Sequence, residues 1–379
     1  MQPFFELHGL ATGSSVVLES RDAALAFPRG DMILAFCNSC GFIANIAFSA
    51  TLADEAARHE DSQAFSGTFN RYLQTLSAEL IARHGLRGKR IVEVGCGQGE
   101  FLALLCKLGP NEGIGFDPVI DEERGILGTA LNTRAVRDWF DETTPPQDAD
   151  LVCCKMTLEH IDAVAPFVRS LRRALRPRLH SAVFAQVPES LRILRSCAFE
   201  DVYYEHCSYF TPGTLARLFR SQGFEVDRLE VSYSDQYLSI EGHPAGFGPP
   251  VAPLDREEPV AEVAALVADF PQRYASRTSQ WRELIDARAA EGPVALWGSG
   301  SKAVSFMKSL GLGERIEHVV DVNPHRQGRY IACTGQRILA PAEIAAVKPR
   351  AVVVMNAVYR EEIRSMLAEL GVDTEVLAL

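Results

Sequence analysis

Residues 89–101, KRIVEVGCGQGEF, decide how the chain is read. An apolar run leads straight into Gly95, Gly97 and Gly99, and a helical apolar pattern follows. A buried strand that ends in glycines and opens a helix begins a parallel α/β unit. The missing side chains let the chain turn sharply and let a ligand approach the backbone. The spacing is Gly-x-Gly-x-Gly with Glu93 two residues ahead, not the Gly-x-Gly-x-x-Gly of dinucleotide folds. An acid before the turn suits a ligand with an ammonium group better than one with a pyrophosphate.

Working outward, Asp117 in GIGFDP closes the next strand, where an acid can take a ribose 2′-hydroxyl. Asp138 follows the third strand and is a candidate for the adenine end. Together with the loop these residues resemble the S-adenosylmethionine (SAM) site of class I methyltransferases. Upstream, FNRYLQTLSAELIARHG has apolar residues at helical spacing and a terminal glycine. Downstream, DADLVCCKM and SAVFAQVPE are further buried strands. A Pro-rich break, FGPPVAPLDREEPV, precedes a helical pattern from about 260 to 290, and then VALWGSGSKA, IEHVVDVNP and RAVVVMNAVYREEI restart the strand–helix alternation.

The expected fold class is α/β: a class I methyltransferase Rossmann-like domain, a second Rossmann-like C-terminal domain, and a small irregular N-terminal domain. The expected boundaries are 1–75, 76–250, a helical linker at 251–291, and 292–379. A length of 379 residues suits several cores. The composition, 47% apolar and 23% charged, is that of globular proteins. A net charge of −11 argues against a nucleic-acid partner. No apolar stretch is long enough to span a bilayer, MQPFFELHGL lacks the pattern of a signal peptide, and nine cysteines with an adjacent pair, Cys153 and Cys154, read as reduced, cytoplasmic usage.

The second glycine loop, WGSGSKA, does fit Gly-x-Gly-x-x-Gly/Ala through Gly298, Gly300 and Ala303, with Asp321 at the distance of a ribose contact. Alone it suggests a nicotinamide dinucleotide site, or a ligand-free Rossmann-like domain. A different kind of signal lies at 201–210, DVYYEHCSYF, where acids, phenols and an imidazole crowd together. Either the aromatics are core filler with Glu205 and His206 as their solvated edge, or proton transfer happens here.

At this point the chain resembles a known family, the bacterial SAM-dependent C-methyltransferases acting on nucleotide-linked ketosugars. The resemblance runs in order through DSQAFSGTF, VEVGCGQGEF, TLEHID, DVYYEHCSYFT, DQYLSIEG, WGSGSKA, VVDVNPHRQGRY and MNAVYREEI. It implies a catalytic cluster of Tyr203, Glu205 and His206, joined by His160, with Glu93, Gly95, Gly97, Gly99, Asp117 and Asp138 holding SAM. His59 stands where the family has a tyrosine. The implied chemistry is removal of the proton beside a ketone, then in-line methyl transfer to the enolate carbon. His206 is the chosen base, with Tyr203 and His160 as donors to the oxyanion, and the roles of Tyr203 and His206 can be exchanged. Arg192, Arg195, Lys302, Arg326 and Arg329 are candidates for neutralising a diphosphate.

The family's N-terminus is a zinc ribbon with two cysteine pairs, and this chain offers Cys37 and Cys40 alone before Cys96. A structural zinc takes four ligands. His8 is a candidate third and nothing supplies a fourth, so the incomplete set favours a knuckle that packs without metal. Competing functions are O- or C-methylation of another small metabolite, a non-catalytic SAM- or dinucleotide-binding protein, and, on the second loop alone, a nicotinamide oxidoreductase.

Overall fold

The strand read at the centre of the opening stretch lies at the centre of the largest sheet in our computed structural model. The structure describes residues 1–54, 62–121, 123, 126–128, 131–176, 181–246, 252–313 and 315–379. In chain order the strands are β1 (Gln2–Ala11), β2 (Val17–Leu18), β3 (Arg29–Phe36) and β4 (Ile43–Asn45), then β5 (Arg90–Val94), β6 (Glu112–Phe116), β7 (Thr133–Val136), β8 (Leu151–Lys155) and β9 (Ala182–Pro188). They continue as β10 (Ser208–Tyr209), β11 (Phe224–Ser232), β12 (Tyr237–Pro244), β13 (Val294–Trp297), β14 (His318–Val320), β15 (Tyr330–Ile331), β16 (Ile338–Leu339), β17 (Ala351–Val354) and β18 (Glu375–Ala378).

The central sheet has the order β11-β12-β9-β8-β5-β6-β7, parallel except where β12 enters antiparallel between β9 and β11. Chain order reverses beside β5, and the crevice at such a switch point is where open α/β sheets bind ligands. The helix Gly67–His84 forms as expected. Ser66 caps it by accepting from Phe69 N, Gly85 ends it at φ 58°, and Phe69, Leu73, Leu80 and Ile81 bury one face. The C-terminal sheet, β16-β14-β13-β17-β18, is wholly parallel and switches beside β13. A helix from Val260 to Ala289 joins the two.

The N-terminal region is more regular than expected. Strands β1, β3 and β4 form an antiparallel sheet that β10 extends from the central domain. The alternation in β1 is blurred by register shifts at Pro3/Phe5 and Leu7/Leu10, where the side-chain period of two is broken. Strand β2 pairs with β15 of the C-terminal domain. All three regions therefore touch one another. Among the described residues no helix is long and apolar enough to cross a membrane.

Candidate active site

Strand β5 delivers Glu93 and the three glycines to the switch point. All three glycines have positive φ, at 69°, 55° and 94°, so each side chain would be strained there. Their surroundings differ. A Cβ at Gly95 would meet Thr157 at 2.1 Å and one at Gly99 would meet Leu127 at 2.5 Å, whereas one at Gly97 would find nothing within 4 Å. Gly95 and Gly99 permit packing, and Gly97 leaves bare backbone facing open space. Asp117 accepts from Gly97 N and from Val119 N, each at 2.9 Å, which aims its carboxylate at the loop. Asp138 is exposed on the turn after β7, beside Trp139.

Glu93 is almost wholly buried, and its Oε2 has no hydrogen-bond partner among the described residues. Burial pushes its carboxyl up to about 8, and the Lys155 ammonium pulls against that rise. A ligand ammonium would resolve this orphaned acid. An open cradle beside a buried carboxyl with one oxygen unpartnered among the described residues is a fit for SAM.

The segment DVYYEHCSYF folds as a short 3-10 turn, Phe199–Asp201, then a turn in which His206 N donates to Tyr203 O at 3.1 Å, then β10. Neighbouring side chains diverge. Tyr204 is fully buried against Gly30 with its hydroxyl accepting from Ser49 N at 2.9 Å, so it is a core residue, as are Tyr209 and Phe210. Tyr203 turns the other way, its ring centroid 4.0 Å from that of His206. The His160 ring is 5.0 Å from His206, and its Nδ1 is 3.1 Å from Glu205 O. If that nitrogen carries the proton, Nε2 is left as an acceptor. Glu205 accepts from both the backbone N and the hydroxyl of Ser14, the latter at 2.7 Å.

The protonation states follow from this burial. Burial first, and His160 second, drive the His206 imidazole well below its ordinary range, with Asp201 opposing them. The ring is therefore neutral near pH 7. Burial raises the Tyr203 phenol, keeping it a proton donor. Burial alone would raise Asp201, but Lys302 and Arg192 outweigh it and hold the carboxyl at about 2.

The two predicted groups meet in one cavity of about 920 Å³. Glu93, Gly95, Gly97, Asp117 and Asp138 line one part, and His160, Tyr203, Glu205 and His206 another. Gly99 is not on its wall. The C-terminal domain closes a third side. There Lys302 Nζ donates to Asp201 at 2.9 Å and to Gln236 at 3.2 Å, and the amides of Gln236 and Asn356 pair reciprocally at 2.9 Å. The segment carrying Tyr203 to His206 rests on that domain too, because Ser305 Oγ donates to Val202 O at 2.7 Å and lies 3.1 Å from Phe199 O.

Sequence reasoning missed Ser14, Asp201, Gln236 and Asn356, which hold the cluster from a distance. It also missed Glu159, which is buried at the cavity edge with Oε2 unpartnered among the described residues and its carboxyl pushed by burial up to about 8. Its place next to His160 was its sole sequence signal. His59 lies outside the described residues.

Several expectations need correction. Asp321 lines the cavity and is engaged by its own loop: it accepts from Ser299 N at 2.9 Å and Ser299 Oγ at 2.6 Å, and Arg326 Nε donates to Ser299 Oγ at 2.7 Å. Of the proposed diphosphate cations, Arg195 pairs with Glu262 and Arg329 with Glu19, and neither lines the cavity. His8 sits 3.3 Å from Asp31, not with the cysteines. Among the described residues the one group of three candidate metal ligands in mutual reach is Glu159, His160 and His206, so Cys37 and Cys40 do not fit a structural zinc.

Two family models match the chain in succession. A methyltransferase domain model matches residues 69–229, and a C-methyltransferase C-terminal domain model matches residues 249–374. The C-methyltransferase NovU of Streptomyces niveus is 26% identical over 324 residues, 79% of this chain and 74% of that protein. A ubiquinone biosynthesis O-methyltransferase of Cupriavidus pinatubonensis is 25% identical over 156 residues, 38% of this chain and 62% of its own length. A Burkholderia thailandensis 1,6-didemethyltoxoflavin N1-methyltransferase structure with bound S-adenosylhomocysteine covers 46% of this chain and 78% of its own, at 20% identity and TM-score 0.39. The chain is a SAM-dependent methyltransferase in which a methyltransferase domain is followed by a C-methyltransferase C-terminal domain.

Proposed function

We propose that the protein methylates a carbon next to the ketone of a nucleotide-linked sugar. One observation carries the reading: the glycine cradle and the Tyr203–Glu205–His206–His160 cluster line the same cavity. SAM, when bound, supplies an electrophilic methyl on a sulfonium sulfur. Gly95 to Gly99 would cradle it, with Glu93 at its ammonium, Asp117 at its ribose and Asp138 toward its adenine.

Carbon is not nucleophilic until a neighbouring C–H bond is broken. His206, neutral and buried, accepts that proton, and the bonding pair moves onto the carbonyl oxygen. Tyr203 can donate to the resulting oxyanion, a contribution of about 3–4 kcal/mol for a well-aimed donor. The neutral His160 ring, with its proton on the nitrogen facing Glu205 O, offers only an acceptor. The enolate carbon then takes the methyl as the sulfur–carbon bond breaks. Two cations, Arg192 and Lys302, converge on Asp201 at one point of the cavity wall. That favours a substrate carrying phosphate. A protein methylating oxygen would need a single base, and this cluster supplies more.

The test is incubation with methyl-labelled SAM and a panel of nucleotide-linked ketosugars, locating the new methyl by NMR. A carbon–methyl bond beside the ketone is expected, and methyl on oxygen overturns the reading. His206→Ala and Tyr203→Phe should keep SAM affinity while slowing solvent exchange of the substrate's α-proton by about 10²–10⁴-fold. Wild-type exchange in both variants would move the base elsewhere.

A further inference from the structure

The N-terminal sheet has no metal set to explain it, yet the turn leaving β1 reaches the centre of the molecule. Residues Leu10 to Val16 are buried throughout, a rare place for a loop because each backbone polar group there needs a partner. Thr12 N donates to Pro28 O at 3.2 Å and Val16 N to Gly13 O at 3.2 Å. The next two residues face opposite ways. Ser14 gives both its N–H and its hydroxyl to Oε1 of Glu205, 191 residues away. The Ser15 carbonyl accepts from Arg326 Nη1 at 2.7 Å, and Arg326 in turn holds the second glycine loop.

Glu205 is thus gripped from outside its own domain. Its side chain is tied to Ser14 and its backbone oxygen to the His160 ring. A shift of Glu205 carries the imidazole with it.

Resting on the function proposed above, we infer that Ser14 is a positioning residue for the reaction: its paired donors fix the Glu205 carboxylate, and through Glu205 the His160 ring, in the cavity. The role of the N-terminal sheet in this chain is to deliver that donor pair. No side chain from it has to reach substrate.

The test uses the full-length protein. Ser14→Ala removes the hydroxyl donor and leaves the N–H, so the expected loss is about tenfold in turnover and in α-proton exchange, with SAM affinity by calorimetry unchanged. Ser14→Thr, which keeps the hydroxyl, should restore most of the rate. Because Ser14 acts through Glu205, Ser14→Ala should add nothing in a Glu205→Gln background. An equal further loss there, or a wild-type rate for Ser14→Ala beside a slow Glu205→Gln, overturns the proposal. A wild-type rate for Glu205→Gln removes Glu205 from the mechanism instead, which is a failure of the functional reading. A second measurement needs no substrate. The carboxylate stretch assigned to Glu205 by infrared difference against Glu205→Gln should shift in Ser14→Ala and return in Ser14→Thr, and an unmoved band overturns the contact itself.

Discussion

The two glycine loops are built alike and used differently. In the first, Asp117 accepts from Gly97 N and Val119 N, each at 2.9 Å. In the second, Asp321 accepts from Ser299 N and Asn323 N, again at 2.9 Å. Each acid closes the strand after its loop and faces the N–H of the turn. The first loop then stops, leaving Gly97 against open space. In the second, Gly300 also faces open space, but the acid is taken up by the loop itself: Ser299 puts a hydroxyl on Asp321, and the buried Arg326 lies across Ser299 and reaches Ser15. A strand, two glycines and a following acid therefore specify a backbone shape. Whether that shape is a binding site depends on what the rest of the chain places in it.

The largest effect should come from unpairing the second loop. Arg326→Met strips the partner from the Ser299–Asp321 pair at a buried site, and stability should fall by about 3–5 kcal/mol in thermal or denaturant unfolding. SAM affinity of the folded protein should be unaltered. A variant as stable as wild type that gains affinity for a nicotinamide dinucleotide would mean the loop is a masked site, and the comparison would break.

Next comes the open loop. Gly97→Val places a branched side chain at φ 55°, in the space left for ligand. The strain, about 1–3 kcal/mol, falls on free and bound protein alike and lowers stability; the side chain standing in the open space should weaken SAM binding about a hundredfold by calorimetry. Gly300→Ala is the matched control, since its Cβ also meets nothing within 4 Å and its φ is −77°. It should leave SAM affinity at the wild-type value. Equal losses in the two would erase the distinction drawn here.

What the sequence made legible was local. The turn at Gly95–Gly99, the Gly85 helix end and the parallel strands follow from backbone chemistry within a few residues. The cluster at 203–206 showed itself through unusual composition. Illegible features needed partners far along the chain. Nothing in WGSGSKA signals that Arg326 will lie on Ser299, and nothing in TGSS signals Glu205. The β1 strand was hidden because its two register shifts break the alternation that marks a strand. Tyr203 and Tyr204 are adjacent and indistinguishable as letters, and the fold alone sends one to the cavity and the other into the core.

The smallest predicted effect is the one that ties the open loop's chemistry to its acid. Burial holds the Glu93 carboxyl up at about 8, against the pull of Lys155, and its Oε2 lacks a partner among the described residues. A bound ammonium favours the ionised form, so SAM binding should draw a proton off Glu93. The free protein then holds more protons than the complex below pH about 8, and affinity rises with pH across that range. We expect about a tenfold gain between pH 6.5 and 8, levelling off as the ligand's own amino group, ordinarily near 8, begins to titrate. Glu93→Gln should bind more weakly and show a flat profile over the same window. The linkage to folding has the opposite sense. A carboxyl raised in the native state stabilises the ligand-free fold at low pH, and that contribution is lost as pH climbs from about 4.5 through about 8. Ligand-free wild type should therefore lose more stability across this window than Glu93→Gln does. A wild-type binding profile as flat as that of the glutamine variant would place the ammonium elsewhere, and the open loop would keep its shape while losing its assigned acid.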